Sequence, residues 1–145
     1  MATMEKLQPR KSYKVGNRLE PFYTGGPLSL SSGGDTVACA CGDEVKLVQM
    51  SNGSVMKTFA GDSEPITSLA FTPNARILFT ASRSLQTKKW DVASGEVLRS
   101  WKSHEAPVAD MAVDASGYLL ATGSADRSAC VWDVEKVHVA PLVVY

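Results

Sequence analysis

The chain has 145 residues, enough for one ordinary domain with its own core and too few for two. Hydrophobic residues make up 44% and charged residues 21%, the balance of a soluble globular protein, which excludes the disordered and membrane-spanning classes. Lysine plus arginine equals aspartate plus glutamate at 15 each, so the chain as a whole has no pull toward nucleic acid or anionic membrane, and such a role needs a local patch.

The one local imbalance is the first 20 residues, where Lys6, Arg10, Lys11, Lys14 and Arg18 face only Glu5 and Glu20, with residues 1–18 as a basic tail. They read either as a solvated basic tail or as a docking arm for RNA or an acidic partner. Neither the start of the chain nor any later stretch has the apolar run of a signal peptide or the ~20 residues of a membrane span. Three cysteines, an odd number, do not support a disulfide framework, and a reducing intracellular compartment is the default expectation. Cys39-Ala40-Cys41 invites a metal reading, but Cys130, His104 and His138 are not at paired-ligand spacing, so small buried residues on a second strand fit better. With no Gly-rich phosphate loop either, neither metal nor cofactor is expected.

From about residue 25 onward the chain repeats itself. Trp132-Asp133-Val134 placed over Trp90-Asp91-Val92 gives an offset of 42 residues, and upstream positions then align without a gap. Pro107 falls on Pro65, Met111 on Leu69, Leu120 on Leu78, Thr122 on Thr80 and Ser124 on Ser82. The same offset carries Gly95 to Gly53, Val97 to Val55 and Trp101 to Phe59, so a weaker copy comes first. That copy lacks the Trp-Asp pair and needs one deletion between Val37–Ala40 and Val48.

Within each copy, short β-prone runs alternate with turn residues such as Thr72-Pro73-Asn74, Ala115-Ser116-Gly117 and Ser94-Gly95, and no helical periodicity is sustained. The second copy predicts strands over Thr67–Phe71, Ile77–Ala81, Thr87–Trp90 and Val97–Trp101. The third predicts Ala109–Val113, Leu119–Gly123 and Ala129–Val134. Four strands per ~42 residues is the size of a propeller blade, so the fold class is all-β, a partial propeller of about three four-stranded blades near residues 25–60, 61–102 and 103–134. Three blades leave two sheet faces uncovered, which predicts a marginal fold for the isolated chain.

Ser103-His104, Leu119 to Asp126 and Val131-Trp132-Asp133 together resemble the WD40 repeat, through their spacing more than through the Trp-Asp pair. The resemblance implies a buried hydrogen-bond network of His104, Thr122, Asp126 and Trp132, with Ser124 as the alternative hydroxyl. It also implies candidate contacts on the top face at Glu64 and Arg83 in the second copy, matched by Ala106 and Ala125 in the third. The second copy departs from the pattern, with Asp62 in the His slot and Ser84 in the Asp slot, so its network must be weaker or wired differently. A hydrolase reading with Ser124 as nucleophile lacks a Gly-x-Ser-x-Gly elbow and leaves the tryptophan unexplained. No enzymatic activity is expected.

A narrower resemblance runs from Tyr13 to Val134, carried by Leu19–Pro27, Val37–Gly42, Ser51–Val55 and Leu98–His104. These are similar to the transducin-beta-like WD40 subunits of the small-subunit processome. That implies a nuclear, nucleolar scaffold in ribosome biogenesis and pre-rRNA processing. Its partners would be other processome proteins, with pre-rRNA and small nucleolar RNA contacted indirectly. The alternative is a cytoplasmic WD40 adaptor or substrate receptor that reads peptide motifs. Full-length members of that family carry two propellers and a helical C-terminal region, which this chain does not contain. Residues 135–145 leave the family pattern, as a truncated or alternatively spliced product would. Their Val-rich part, Val137–Val144, is expected to pair as the outer strand of the third blade, with Pro141 confining it to an edge.

Overall fold

The computed structural model describes residues 22–136, 141 and 143–145. The basic tail over residues 1–18, the start of the Leu19–Pro27 segment, and residues 137–140 and 142 of the Val-rich end lie outside the described residues.

Twelve strands form three antiparallel four-stranded sheets, and no helix occurs among the described residues. Sheet one holds β1 (Leu28–Leu30), β2 (Thr36–Cys41), β3 (Glu44–Gln49) and β4 (Val55–Phe59). Sheet two holds β5 (Ile66–Phe71), β6 (Ile77–Ser82), β7 (Gln86–Asp91) and β8 (Val97–Lys102). Sheet three holds β9 (Val108–Val113), β10 (Leu119–Ser124), β11 (Ala129–Asp133) and β12 (Val143–Val144). Every strand pairs with its neighbour in sequence, so each sheet is a simple meander. The seven strands expected in the second and third copies are all present, with ends that differ by at most one residue.

Backbone conformation repeats with the sequence. Gly53 and Gly95, in the turns between third and fourth strands, have φ of 73° and 83°. Each donates its N–H to the carbonyl of the strand end just before it, Gln49 and Asp91 respectively, a tight return that a residue without a Cβ makes at low cost. Leu85 and Arg127 occupy equivalent left-handed positions between second and third strands, at φ 69° and 73°. The deletion in the first copy falls in the β2–β3 hairpin. Ala40 pairs with Val45 across four residues there, whereas Ala81 pairs with Thr87 across five.

The sheets stack face to face, with β5 lying against β1 and β2 on one side and against β9 on the other. First strands thus gather on one side and the fourth strands lie away from them, the radial order of a partial β-propeller. Between sheets one and two the core is built from Ala38, Ala40, Val45, Leu47 and Phe59 against Ile66, Leu69, Phe71, Leu78 and Trp90. Between sheets two and three, Ala70, Phe79 and Ala81 meet Val108, Met111, Leu120, Cys130 and Trp132. Neither side of a sheet can be left wet without losing ~1.5–3 kcal/mol per large apolar side chain, so the sheets stack. Cys39 is buried and Cys41 half-buried on β2, as small strand residues, and burial pushes both thiols up.

Among the described residues of the Val-rich end, Val143 and Val144 form the outer strand of sheet three. Val143 and Val144 pair antiparallel with Val131 and Cys130, and Pro141 lies outside the strand.

Candidate functional site

In sheet three the turn before β9, the strand β10, the β10–β11 turn and the strand β11 bring four side chains together. Trp132 Nε1 donates to Thr122 Oγ1 at 2.9 Å, and Thr122 Oγ1 lies 2.8 Å from His104 Nε2. His104 Nδ1 sits 3.2 Å from Asp126 Oδ2 and 2.9 Å from Ser128 Oγ. The Thr122 hydroxyl accepts from the indole, so its own proton is free to go to Nε2. That assigns the imidazole proton to Nδ1, facing Asp126 and Ser128. His104 and Thr122 are buried.

Asp126 is the anchor of the turn. It accepts from the backbone N–H of Glu105 at 2.9 Å and of Ser128 at 2.8 Å, and from the Ser128 hydroxyl at 2.5 Å. The Ser128 hydroxyl, with the amides of Glu105 and Ser128 and the nearby His104 ring, outweighs partial burial and holds the carboxyl well below the usual carboxylate range. Ser128 was not among the residues that sequence reasoning singled out. Its signal is local: a hydroxyl two residues after an aspartate can close an Asx-type turn.

Ser124 lies apart from the imidazole. Its hydroxyl donates to the carbonyls of Ala106 and Pro107 at 3.0 and 3.2 Å and accepts from the Asp126 N–H at 3.1 Å. The arrangement pins the β10 end to the preceding loop and gives Ser124 no adjacent base.

Sheet two keeps half of this network. Trp90 Nε1 donates to Thr80 Oγ1 at 2.9 Å. Asp62 accepts instead from the hydroxyls of Ser82 at 2.7 Å and Ser84 at 2.6 Å. Burial pushes the Asp62 carboxyl up, but the Ser84 and Ser82 hydroxyls and Lys88 nearby outweigh it, leaving it below its ordinary value. A void of about 10 Å³ is lined by Asp62, Thr80, Ser82 and Trp90, among others. In sheet one the corresponding tryptophan and threonine positions are Val48 and Cys39, both buried. With the donor and its acceptor both replaced, no polar group is stranded.

Glu64 and Arg83 stand on the β4–β5 and β6–β7 loops, at the same end of sheet two, with exposed side chains. Their backbones are fixed: Glu64 N–H donates to Asp62 Oδ1 at 3.3 Å and Arg83 N–H to the Pro65 carbonyl at 3.0 Å. Among the described residues no ion pair joins their side chains. In sheet three Ala125 is exposed and Ala106 half-buried. Glu64 and Arg83 thus place one charge of each sign on fixed loops at the same end of sheet two.

Two lysines clasp adjacent sheets, a feature that the sequence did not disclose. Lys57 Nζ on β4 donates to the carbonyls of Val92, at 3.2 Å, and Ala93. Lys89 Nζ on β7, buried, donates to the Val134 carbonyl at 2.9 Å. Val92 and Val134 are repeat-equivalent, so the same carbonyl is capped twice from different strands.

Comparison with known proteins agrees with the repeat. Residues 53–91 and 95–133, more than half of the chain, match the family model described as WD domain, G-beta repeat. The chain is similar to Transducin beta-like protein 3 of Bos taurus and of Homo sapiens, 39% identical in each case, and of Mus musculus, 40% identical. Each match extends over 82 residues, 56% of this chain and 10% of the relative's length. The chain therefore spans about a tenth of the relatives it matches.

Proposed function

The chain belongs to the WD40 repeat family, and from that premise we propose that it works as a non-catalytic binding scaffold within a nucleolar particle that processes pre-ribosomal RNA. WD40 repeat proteins are in general scaffolds that mediate protein–protein interaction. The observation that carries the finer reading is the likeness to Transducin beta-like protein 3, at 39% identity over 82 residues, 56% of this chain. The geometry supports a scaffold, because His104, Thr122, Asp126 and Trp132 are engaged in holding the turn of sheet three, and Glu64 and Arg83 stand exposed on loops with fixed backbones. Partners in this reading are other protein subunits of the small-subunit processome, with RNA contacted through them. No cofactor or metal takes part, and localisation is nuclear and nucleolar.

Affinity capture of the epitope-tagged chain from cells, with mass spectrometry and RNA sequencing of the eluate, tests this. Recovery of processome proteins together with pre-rRNA and small nucleolar RNA is the expected result, with nucleolar staining of the tagged chain. Recovery of ubiquitin-ligase components from a cytoplasmic pool overturns it and favours a peptide-reading adaptor.

A further inference from the structure

The two junctions between successive sheets are built on equivalent turns but are filled differently. At the junction of sheets one and two, Lys57 Nζ reaches over from β4 and donates to the carbonyls of Val92, at 3.2 Å, and Ala93, just past the end of β7. Its stem packs on the next turn, where a Cβ added to Gly95 would lie 3.3 Å from Lys57 Cδ. The repeat offset carries Val92 and Ala93 to Val134 and Glu135, and the backbone follows: Val92 N–H donates to the Arg76 carbonyl at 2.9 Å and Val134 N–H to the Tyr118 carbonyl at 2.8 Å. The counterpart of Lys57 on β8 is Arg99, an exposed residue that makes no hydrogen bond to the Val134 or Glu135 carbonyl among the described residues. Lys89 holds the Val134 carbonyl from β7 instead, at 2.9 Å.

A cavity of about 240 Å³ opens at this place between sheets two and three. Pro73, Ile77 and Val134 give it apolar walls, Asn74 contributes an amide, and Tyr118 and Glu135 line it from sheet three. Of the residues that line it, Glu135 alone is charged, and Tyr118 is 70% exposed. Tyr118 and Glu135 stand where sheet two has Arg76 and Ala93, so the step from second copy to third exchanges a cation and a methyl group for an aromatic ring and a carboxylate. Sheets one and two hold a lysine of the chain itself at this position, whereas sheets two and three present groups that attract one.

We propose that this cavity is a docking site for a lysine side chain of a protein partner. The aliphatic stem lies against Pro73, Ile77 and Val134, as lysine stems do on apolar surface, and the ammonium meets the Glu135 carboxylate. The Tyr118 ring adds the attraction between an aromatic face and a cation, and tyrosine is among the residues that carry most binding energy at protein interfaces. Glu135 and Tyr118 thereby recognise the charge, and the apolar walls recognise the length of the stem. The site adds to the scaffold reading a surface and the chemistry of what it takes, and it rests on that reading only for the partner's being a protein.

The test is an NMR titration of the complete, isotope-labelled 145-residue chain with the peptide acetyl-Gly-Lys-Gly-amide and with its norleucine counterpart, which keeps the stem and lacks the charge. The lysine peptide should move the amide signals of Asn74, Ser116, Gly117, Tyr118, Val134 and Glu135, and the norleucine peptide should bind about tenfold more weakly. Tyr118→Ala and Glu135→Gln should each weaken the lysine peptide about threefold and together about tenfold, with the Trp132 indole signal unmoved as the sign that sheet three is intact. Equal binding of the two peptides overturns the proposal, as do shifts confined to other residues, undiminished binding by the double variant, or no shift at about 50 mM lysine peptide. The comparison of peptides on the unaltered chain decides the matter even if a variant fails to fold. Its outcome is independent of which particle the chain is captured with, so failure here and failure of the nucleolar reading are told apart.

Discussion

Trp132 and Thr122 are joined by an indole-to-hydroxyl hydrogen bond of 2.9 Å, and the hydroxyl relays that contact to His104 at 2.8 Å. Trp90 and Thr80 share the first bond at the same 2.9 Å, with Asp62 held by two serines in place of the second. One threonine thus supports two buried groups and its repeat-equivalent one. Thr80→Val strands a single indole N–H and should lower unfolding free energy by about 1–3 kcal/mol, while Thr122→Val strands the indole and an imidazole nitrogen and should cost roughly twice that. Urea denaturation of the two variants under identical conditions measures the difference; equal losses would mean that the His104 bond adds nothing.

The second copy should accept the third copy's wiring. Asp62→His puts an imidazole beside Thr80 and the 10 Å³ void, and Ser84→Asp supplies the carboxylate that orients it. Each change alone leaves a polar group without its designed partner. The double variant should therefore be more stable than the sum of the singles predicts, by about 0.5–3 kcal/mol of coupling, read from a thermodynamic cycle. A coupling of zero would show that sheet two cannot host the network.

Acid should destabilise the fold through the turn aspartates. Asp126 is held below its ordinary range by the Ser128 hydroxyl first, and Asp114, bonded by the Ser116 hydroxyl and the Leu119 N–H, is lowered to about 2. A carboxyl depressed in the folded state favours folding above its unfolded value of about 3.9, and that contribution is lost as pH falls through the folded value. Stability should drop between about pH 4 and pH 2, and Asp126→Asn should be less stable at neutral pH with a shallower acid limb. Thermal melts in that window provide the check.

Gly61 and Ser103 occupy the same place in successive copies and should not be interchangeable. A Cβ on Gly61 would lie 1.8 Å from the Asp43 carbonyl oxygen, a contact that only a shift of backbone relieves. Gly61→Ser should cost about 3 kcal/mol or more. Ser103 has room and uses its hydroxyl, 2.7 Å from Thr87 Oγ1, so Ser103→Gly should cost about 1 kcal/mol. Comparable losses in the two variants would contradict this.

Trp101 carries a buried indole nitrogen without a hydrogen-bond partner among the described residues, although its ring packs on Phe79 and Trp132. Trp101→Phe keeps most of the packing and removes the stranded donor. It should change stability by less than about 1 kcal/mol, against about 3–5 kcal/mol for Trp101→Ala. Calorimetric melting temperatures of the pair distinguish packing from hydrogen bonding at this position.

Much of the strand pattern was legible because each copy alternates β-prone runs with turn residues at a constant 42-residue spacing. Positions such as Leu120 and Trp132 could be found by aligning the chain on itself. Ser128 was not legible, since a serine two residues after an aspartate is common in loops, and only its approach to His104 gives it a role. Lys57 and Lys89 were also hidden. A lysine on a strand reads as a solvated residue, and the carbonyls that both cap belong to the next copy, 35 and 45 residues away in sequence. The first copy was expected as a four-stranded blade, but its individual strands could not be placed from residues that lack the Trp-Asp pair, because Val48 and Cys39 keep the core apolar without displaying the pattern.

The sequence by itself determined the repeat, the all-β class and the side chains whose spacing places them in one turn, because those depend on local periodicity and on contacts within a copy. Tertiary structure alone decided which faces are dry, where lysines bridge successive sheets and that Tyr145 completes the edge of β11 in the register of Phe59 and Trp101. Such contacts join residues whose separation in sequence follows no rule, and they exist only once one sheet has stacked on the next.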